Sequence, residues 1–482
     1  MSETDSDEDF TMLAAVSSKG TWDFEDIERL KAETAGLLDR QWKESRNKGL
    51  LTKMLELENP AVTAKMVDFL LQDGVTEQLL SFITLNGPGA ARPYPNGPSS
   101  SALRKSYRAT ILLAPDNPTE ALHLVLKAKA ALIAERIFDI FKSDSSGSFY
   151  HAYRILESLL RCYPKEVYEG VCKSGAVAGV ANALRYIGFP PVSELLIMLI
   201  ALTPVARSGA LYEGCEKAWW GFLSHLTAWN LSLHIVKVIS HPQTCALDAY
   251  ITADQHANAS LQLLEEVVEK LCLEERGAAF LKPLTDSPAV INMLVDTIVK
   301  PRPHIDALRC CAHLLCFLLR RAADQETLCF VHLEGQVPTA NYVPNHLYPM
   351  RAALVGQIGG RLGDILALLR GWDVRWVGGP VAYSSYTVAA PFTSLRAGLI
   401  DCIALMVESD EAVASTLPAD MWTLLLQWAL LYAHNNILHA LVYRLIFAVL
   451  RQNQVPAQRT LLQEAKLVTF LMTNFVPFGA GV

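Results

Sequence analysis

From Trp22 onward this 482-residue chain repeats one pattern: apolar residues recur at spacings of three and four, segment after segment. "TAKMVDFLLQ", "EALHLVLKAKAALIAERIFDIF", "LQLLEEVVEKLC" and "IDALRCCAHLLCFLLRRA" each lay an apolar stripe along one helix face. Strand-like alternation is scarce. Helix starts are expected at Asn59-Pro60, Asn117-Pro118 and Ser287-Pro288, where a capping side chain precedes a proline suited to the first helical position. Breaks fall at "QDGV", "KSGAV" and "YIGFPP". Gly74 is followed by Leu79, Leu80 and Ile83; Gly175 is followed at the same offsets by Val180, Ala181 and Leu184. Amphipathic helices that cannot cover their own apolar side do so by stacking. The expected fold is therefore all-α, an α-solenoid of armadillo/HEAT-like helical repeats.

The acidic opening "MSETDSDEDF" leads a segment, 1–20, that has little to bury and is expected to be disordered. Residues 21–482 are expected to form one helical-repeat domain with two insertions. One, at about 86–101, is the Gly/Pro/Ser-rich "NGPGAARPYPNGPSSS"; the other, 331–391, mixes helix with aromatic, proline-bearing loops.

Hydrophobic residues make up 51% of the chain and charged residues 19%, which points to extensive burial or to apolar surface kept for a partner. The longest apolar runs, such as "LLIMLIAL", fall short of the ~20 residues of a membrane-spanning helix, so no span is expected. A net charge of −7 without a dense Lys/Arg run argues against nucleic acid as partner. Ten scattered cysteines with no CxxC pair, behind an acidic start, fit reduced thiols in the cytoplasm, with the nucleus as a second location.

Chemistry-bearing motifs are sparse, and no cofactor is expected. In "RCCAHLLCFLL", Cys310, His313 and Cys316 share a helix face but Cys311 points elsewhere, and no second ligand pair accompanies them. "GQIGGRLG" lacks the spacing of a phosphate-binding loop and reads as a bent or closely packed helix. "SDSSGS" reads as a polar turn, and no GxSxG elbow occurs. Within "LYAHNNILHALVYRLIFAVL", read as an apolar helix, His434 and His439 lie about 140° apart at ~100° per residue and so diverge. Asn435 and His439 share a face, where they are expected to cap or bridge a neighbouring helix end. No enzyme is expected.

Five blocks resemble, in order, segments of the SAPS domain, the helical domain of regulatory subunits of protein phosphatase 6 and its yeast counterpart. "AKMVDFLLQDGVTEQLLSFIT" is similar to the family's Lys-Leu-Val-Asp-Phe-Leu segment, which runs on into Glu-Leu-Val-Ser-x-Ile-Thr. "AERIFDIFKS" with "LRYIGFPPVSELLIMLI", and "DQHANASLQLLEEVV", resemble later helices of the domain. In "PFTSLRAGLIDCIALMVES", Pro391 and Arg396 match the Pro-Leu-Gly-x-x-Arg-Leu motif. In "HNNILHALV", Asn435, Asn436, Leu438 and His439 match Trp-Asn-Asn-Phe-Leu-His. His434, Ile437, Thr393 and Ala397 depart from those motifs, and the family's long acidic tail has no counterpart before Val482.

The resemblance spans roughly Thr52 to Phe475. It implies a non-catalytic subunit that binds a protein phosphatase 2A-like serine/threonine phosphatase and directs its substrate choice, with an ankyrin-repeat third subunit as a further partner. Arg396, Asn435, Asn436 and His439 become candidate partner-binding residues. Interfaces concentrate their energy in aromatic and Arg anchors, so Trp372, Trp376, Tyr383 and Tyr386 of the second insertion join them, with core packing as the alternative role of each. Two other readings remain open: an armadillo/HEAT-type adaptor for another partner, and an all-helical hydrolase or transferase with its site in the loops between Val331 and Pro391.

Overall fold

The computed structural model describes residues 50–56, 66–84, 100–116, 118–142, 145, 147–173, 175–201, 215–242, 252–299, 305–331, 339–371, 380–382, 387–388 and 391–474. The acidic head, Asn59-Pro60, Asn117, most of the first insertion, Trp372, Trp376, Tyr383 and Tyr386 lie outside them. The chain is mostly helical, as its periodicity requires, and divides into two compact units between Gly170 and Val171.

The first unit contains α1 (Asp73–Thr84), α2 (Ser100–Leu113), α3 (Glu120–Ile137), α4 (Phe149–Cys162) and most of α5 (Pro164–Lys173). α1 packs on α2 and α3, and α4 packs on both of those. Leu79, Leu80, Ile83, Ile133, Ile137, Ile155 and Leu156 interlock in this core. α3 begins two residues beyond the Asn117-Pro118 start: extended Thr119 accepts a hydrogen bond from the Leu122 amide. In "SDSSGS", Ser145 is buried and its hydroxyl donates to the carbonyl of Thr84, an otherwise orphaned group at the end of α1. Gly170 is required by close approach, since a Cβ there would stand 2.1 Å from the Ala131 carbonyl oxygen.

The second unit opens with α6 (Ala176–Leu184), α7 (Pro190–Ile200), α8 (Glu216–Ala228), α9 (Leu231–Ser240) and α10 (Ala253–Leu271). After a short helix at Gly277–Leu281 come α11 (Pro288–Val299) and α12 (Ile305–Arg321). Gly175, at φ +85°, turns the chain into α6, while Gly74 lies inside α1, so the two matched glycines do different work. Ser287 caps α11 through the Ala289 amide, as the Ser-Pro pair signals. Thr252 and Gln255 form a reciprocal capping box on α10.

Beyond α12 the structure departs from the expected loops. β1 (Glu326–Val331) pairs antiparallel with β2 (Thr339–Pro344), with Leu328 opposite Tyr342. Asn345 fastens this hairpin to the end of α12 by donating from Nδ2 to the carbonyls of Arg321 and Asp324, at 2.6 and 2.8 Å. "GQIGGRLG" joins α13 (Arg351–Gly359) to α14 (Leu362–Arg370) across a 51° bend. A two-residue ladder, β3 (Val381–Ala382) with β4 (Thr387–Val388), precedes α15 (Ser394–Ser409). The chain continues through α16 (Glu411–Thr416), α17 (Ala419–Leu431), α18 (Asn436–Gln452), α19 (Val455–Arg459) and α20 (Leu467–Asn474).

Helices of this unit pack in two rows. In one, α7, α10, α12, α15 and α18 each contact the next; in the other, α9, α11, α14 and α17 do the same. The rows meet where α9 lies on α10, α11 on α12 and α17 on α18. α15 is sandwiched between α12 and α18, and it is buried on every side from Leu399 to Val407. Among the described residues no single helix is long and apolar enough to cross a membrane.

Candidate partner-binding site

The apolar run from Leu431 to Leu450 is not one helix. α17 stops at Leu431, Tyr432 leaves helical geometry, and α18 begins at Asn436. The polar residues are what break it. Asn435 is the cap of α18, its side chain accepting from the Leu438 amide at 2.9 Å. His439, one turn into α18, reaches back so that Nε2 lies 2.9 Å from the Ala429 carbonyl in the last turn of α17. A carbonyl only accepts, so Nε2 carries the hydrogen. The expected capping and bridging is what these two side chains do, while His434 and Asn436 face solvent. Losing one neutral bond or one cap costs about 1 kcal/mol each. His439→Ala and Asn435→Ala are each expected to lower the denaturant midpoint accordingly, with the slope unchanged.

Arg396 enters the same site from α15. Thr393 caps α15 by accepting from the Arg396 amide, so the guanidinium is delivered from the helix's first turn. Only 1% of Arg396 is exposed. Its Nη1 donates to Tyr432 Oη at 2.6 Å, and its Cζ lies 5.0 Å from the Trp428 ring centre and 5.8 Å from that of Tyr432. Phe392 closes the aromatic box against both rings. The exposed rim of this bracket is His434, Asn436 and Ile437, while the guanidinium itself is closed off from solvent.

A second tie runs alongside. Buried Asp401 of α15 accepts from Arg320 of α12 and from Arg444 Nη1 of α18, the latter at 2.9 Å, while Arg444 also grips Glu408 through Nε at 2.7 Å. Glu408, with Asp401 behind it, holds the Arg444 guanidinium above its ordinary pKa. One carboxylate thus links three consecutive helices of a row. Because both arginines reach solvent, the cost of cutting this link falls below that of a fully buried pair. Asp401→Ala is expected to destabilise the second unit by about 2 kcal/mol, readable by chemical denaturation.

The remaining chemical candidates resolve into packing. Cys310, Cys311 and Cys316 are buried, whereas His313 points outward to Glu265 at 2.8 Å. That hydrogen bond raises the imidazole's pKa. Burial pushes the Cys310 thiol up to about 12, so it stays protonated and unreactive. Among the described residues no three potential metal ligands converge. Ser106 and His151 make a 2.7 Å contact of the kind a nucleophile and base would make, but Ser106 is wholly buried between α2 and α4, out of reach of a substrate.

Sequence reasoning found Arg396, Asn435 and His439, which the fold brings together. It missed Tyr432, Trp428 and Phe392, and it missed Asp401. A lone Arg and a lone Asp in the apolar run "SLRAGLIDCIALMV" were the available signal, since buried charges demand partners. No protein-family model matches the chain, and no curated protein matches it either.

Proposed function

We propose that this protein is a non-catalytic scaffold, an armadillo-like α-solenoid that binds the catalytic subunit of a protein phosphatase 6-type serine/threonine phosphatase and directs its substrate choice. The solenoid is supported by a recurring three-helix order in the second unit. α13, α14, α15 and then α16, α17, α18 each contribute their second helix to one row and their third to the other. The short helix Gly277–Leu281 with α11 and α12 follows the same order.

The single observation that carries the phosphatase reading is the convergence of two SAPS-like blocks on one helix end. "PFTSLR" and "HNNILH", some 40 residues apart, both fasten to the end of α17, Arg396 through Tyr432 and His439 through the Ala429 carbonyl. Two of the resembling blocks thereby share one three-dimensional bracket.

Co-expression of the tagged chain with a protein phosphatase 6-type catalytic subunit, followed by affinity capture, tests the assignment. Recovery at a near-equal amount, surviving 150 mM salt, is the expected result; consistent absence of the catalytic subunit overturns it and leaves an adaptor for another partner. A substrate-panel assay of the chain alone is expected to show no turnover.

A further inference from the structure

α18 has two apolar faces and only one of them is covered. Leu438, Val442, Leu445, Ala448 and Val449 turn inward and are buried. On the opposite side Ile437 is 67% exposed, Tyr443 67%, Phe447 51% and Leu450 41%. At ~100° per residue Ala440, Tyr443, Phe447 and Leu450 fall within an arc of about 80°, a strip along the helix from Ala440 to Leu450, with Ile437 about 60° further round and Arg444 and Arg451 between. Tyr443 and Phe447 stack on each other in it, with ring centres 6.0 Å apart. Val455, 72% exposed, carries apolar surface on into α19.

The neighbouring helix shows what such a face is for. α15 is also apolar on both sides, and both sides are covered, one by α12 and one by α18. α18 repeats that composition at the next place in the row without a covering helix among the described residues. A helix that is apolar all round belongs inside a packed structure.

Charge identifies the covering element. α18 contains Arg444 and Arg451 and no carboxylate. From Leu431 to Asn474 four basic side chains (Arg444, Arg451, Arg459, Lys466) face a single acidic one, Glu464, in a chain whose net charge is −7. Arg451, Arg459 and Lys466 are exposed. Arg451, on α18 itself, stands beside the strip as an exposed cation, while the carboxylates of the packed neighbours are engaged elsewhere, Glu408 with Arg444 and Glu411 with Gln454.

We propose that the outward face of α18 is a docking site for an amphipathic helix of a partner protein, its apolar residues laid against Tyr443, Phe447 and Leu450, with Ile437 at the edge, and its flank lined by Asp or Glu facing Arg451. Helix-in-groove recognition uses this i, i+3, i+4, i+7 anchoring, and the border charges set orientation and partner choice. An acidic-flanked helix can belong to a phosphatase subunit or to any other protein, so failure of the co-expression capture leaves this face standing.

The test is a display selection of a helix-biased peptide library on the purified full chain, repeated on Phe447→Glu and Arg451→Glu variants shown by circular dichroism to be folded. Enriched peptides are expected to share an apolar stripe bordered by Asp or Glu. They are expected to bind Phe447→Glu about tenfold or more weakly and Arg451→Glu several-fold more weakly, as loss of a central anchor and of a border charge requires. Absence of enrichment, enrichment without acidic bias, or binding untouched by Phe447→Glu overturns the proposal. Two parallel measurements distinguish rival occupants. A light-scattering mass that doubles with concentration and reverts in Phe447→Glu assigns the face to a second copy. Co-sedimentation with phosphatidylserine-containing vesicles that is lost in the same variant assigns it to a membrane surface. Either result overturns the helix assignment.

Discussion

Arg396→Ala is expected to destabilise the second unit by about 4 kcal/mol, combining the cavity left by a large buried side chain, a loss of 2–5 for comparable truncations, with an orphaned Tyr432 hydroxyl. The guanidinium sits where α15 meets the α17–α18 turn, stacked near Trp428 and hydrogen-bonded to Tyr432, with 1% of the residue exposed. Two further variants separate volume from charge. Arg396→Met keeps most of the volume and removes the cation, so its expected cost is about half that of alanine. Adding Tyr432→Phe to Arg396→Met removes the stranded hydroxyl as well and is expected to recover part of the loss, because a buried polar group is costly mainly when its partner is gone. Chemical denaturation of the four proteins checks the series. If methionine costs as much as alanine, the cation and its ring contacts, not packing, hold this junction.

The same junction shows what the sequence could disclose. Helix periodicity is local, so the helical class was legible, as were Ser287 ahead of α11 and the bend within "GQIGGRLG". The bridging role of Asn435 and His439 was legible because both bonds close within ten residues. Features that depend on distant pairing were not. Arg396 meets Tyr432 across 36 positions, Arg444 meets Asp401 across 43, and the β1–β2 hairpin depends on Asn345 reaching back 24 positions to α12. At Asn117-Pro118 the dipeptide signalled a start, but the backbone becomes extended at Thr119 and the cap forms there. The exposed side of α18 was in plain view as composition, yet its exposure follows from the lack of a covering helix among the described residues, and no pattern within one helix encodes that.

Acid is expected to weaken the second unit through a residue outside the bracket. His256, in the first turn of α10, is fully buried, and its Nε2 lies 3.1 Å from the Arg185 carbonyl at the end of α6. Burial depresses its pKa from 6.5 to about 4. In the unfolded chain the imidazole takes up a proton near pH 6.5; in the folded protein it resists until about pH 4. Between these values the unfolded state binds more protons, so stability falls as pH is lowered, by about 1.4 kcal/mol per unit and about 3 kcal/mol over the window. Below about pH 4 this contribution levels off, and above 6.5 it vanishes. The His313–Glu265 contact acts in the opposite sense, because a raised pKa confers stability that is lost as pH rises through it. Comparing the wild type with His256→Gln cancels that contribution, and glutamine can still donate to the Arg185 carbonyl. The difference in unfolding free energy between the two proteins is expected to be constant above pH 7 and to shift steadily in favour of glutamine from pH 6.5 towards 4. Parallel pH profiles would mean that His256 takes up its proton as readily in the folded as in the unfolded chain, so that burial does not hold the imidazole neutral.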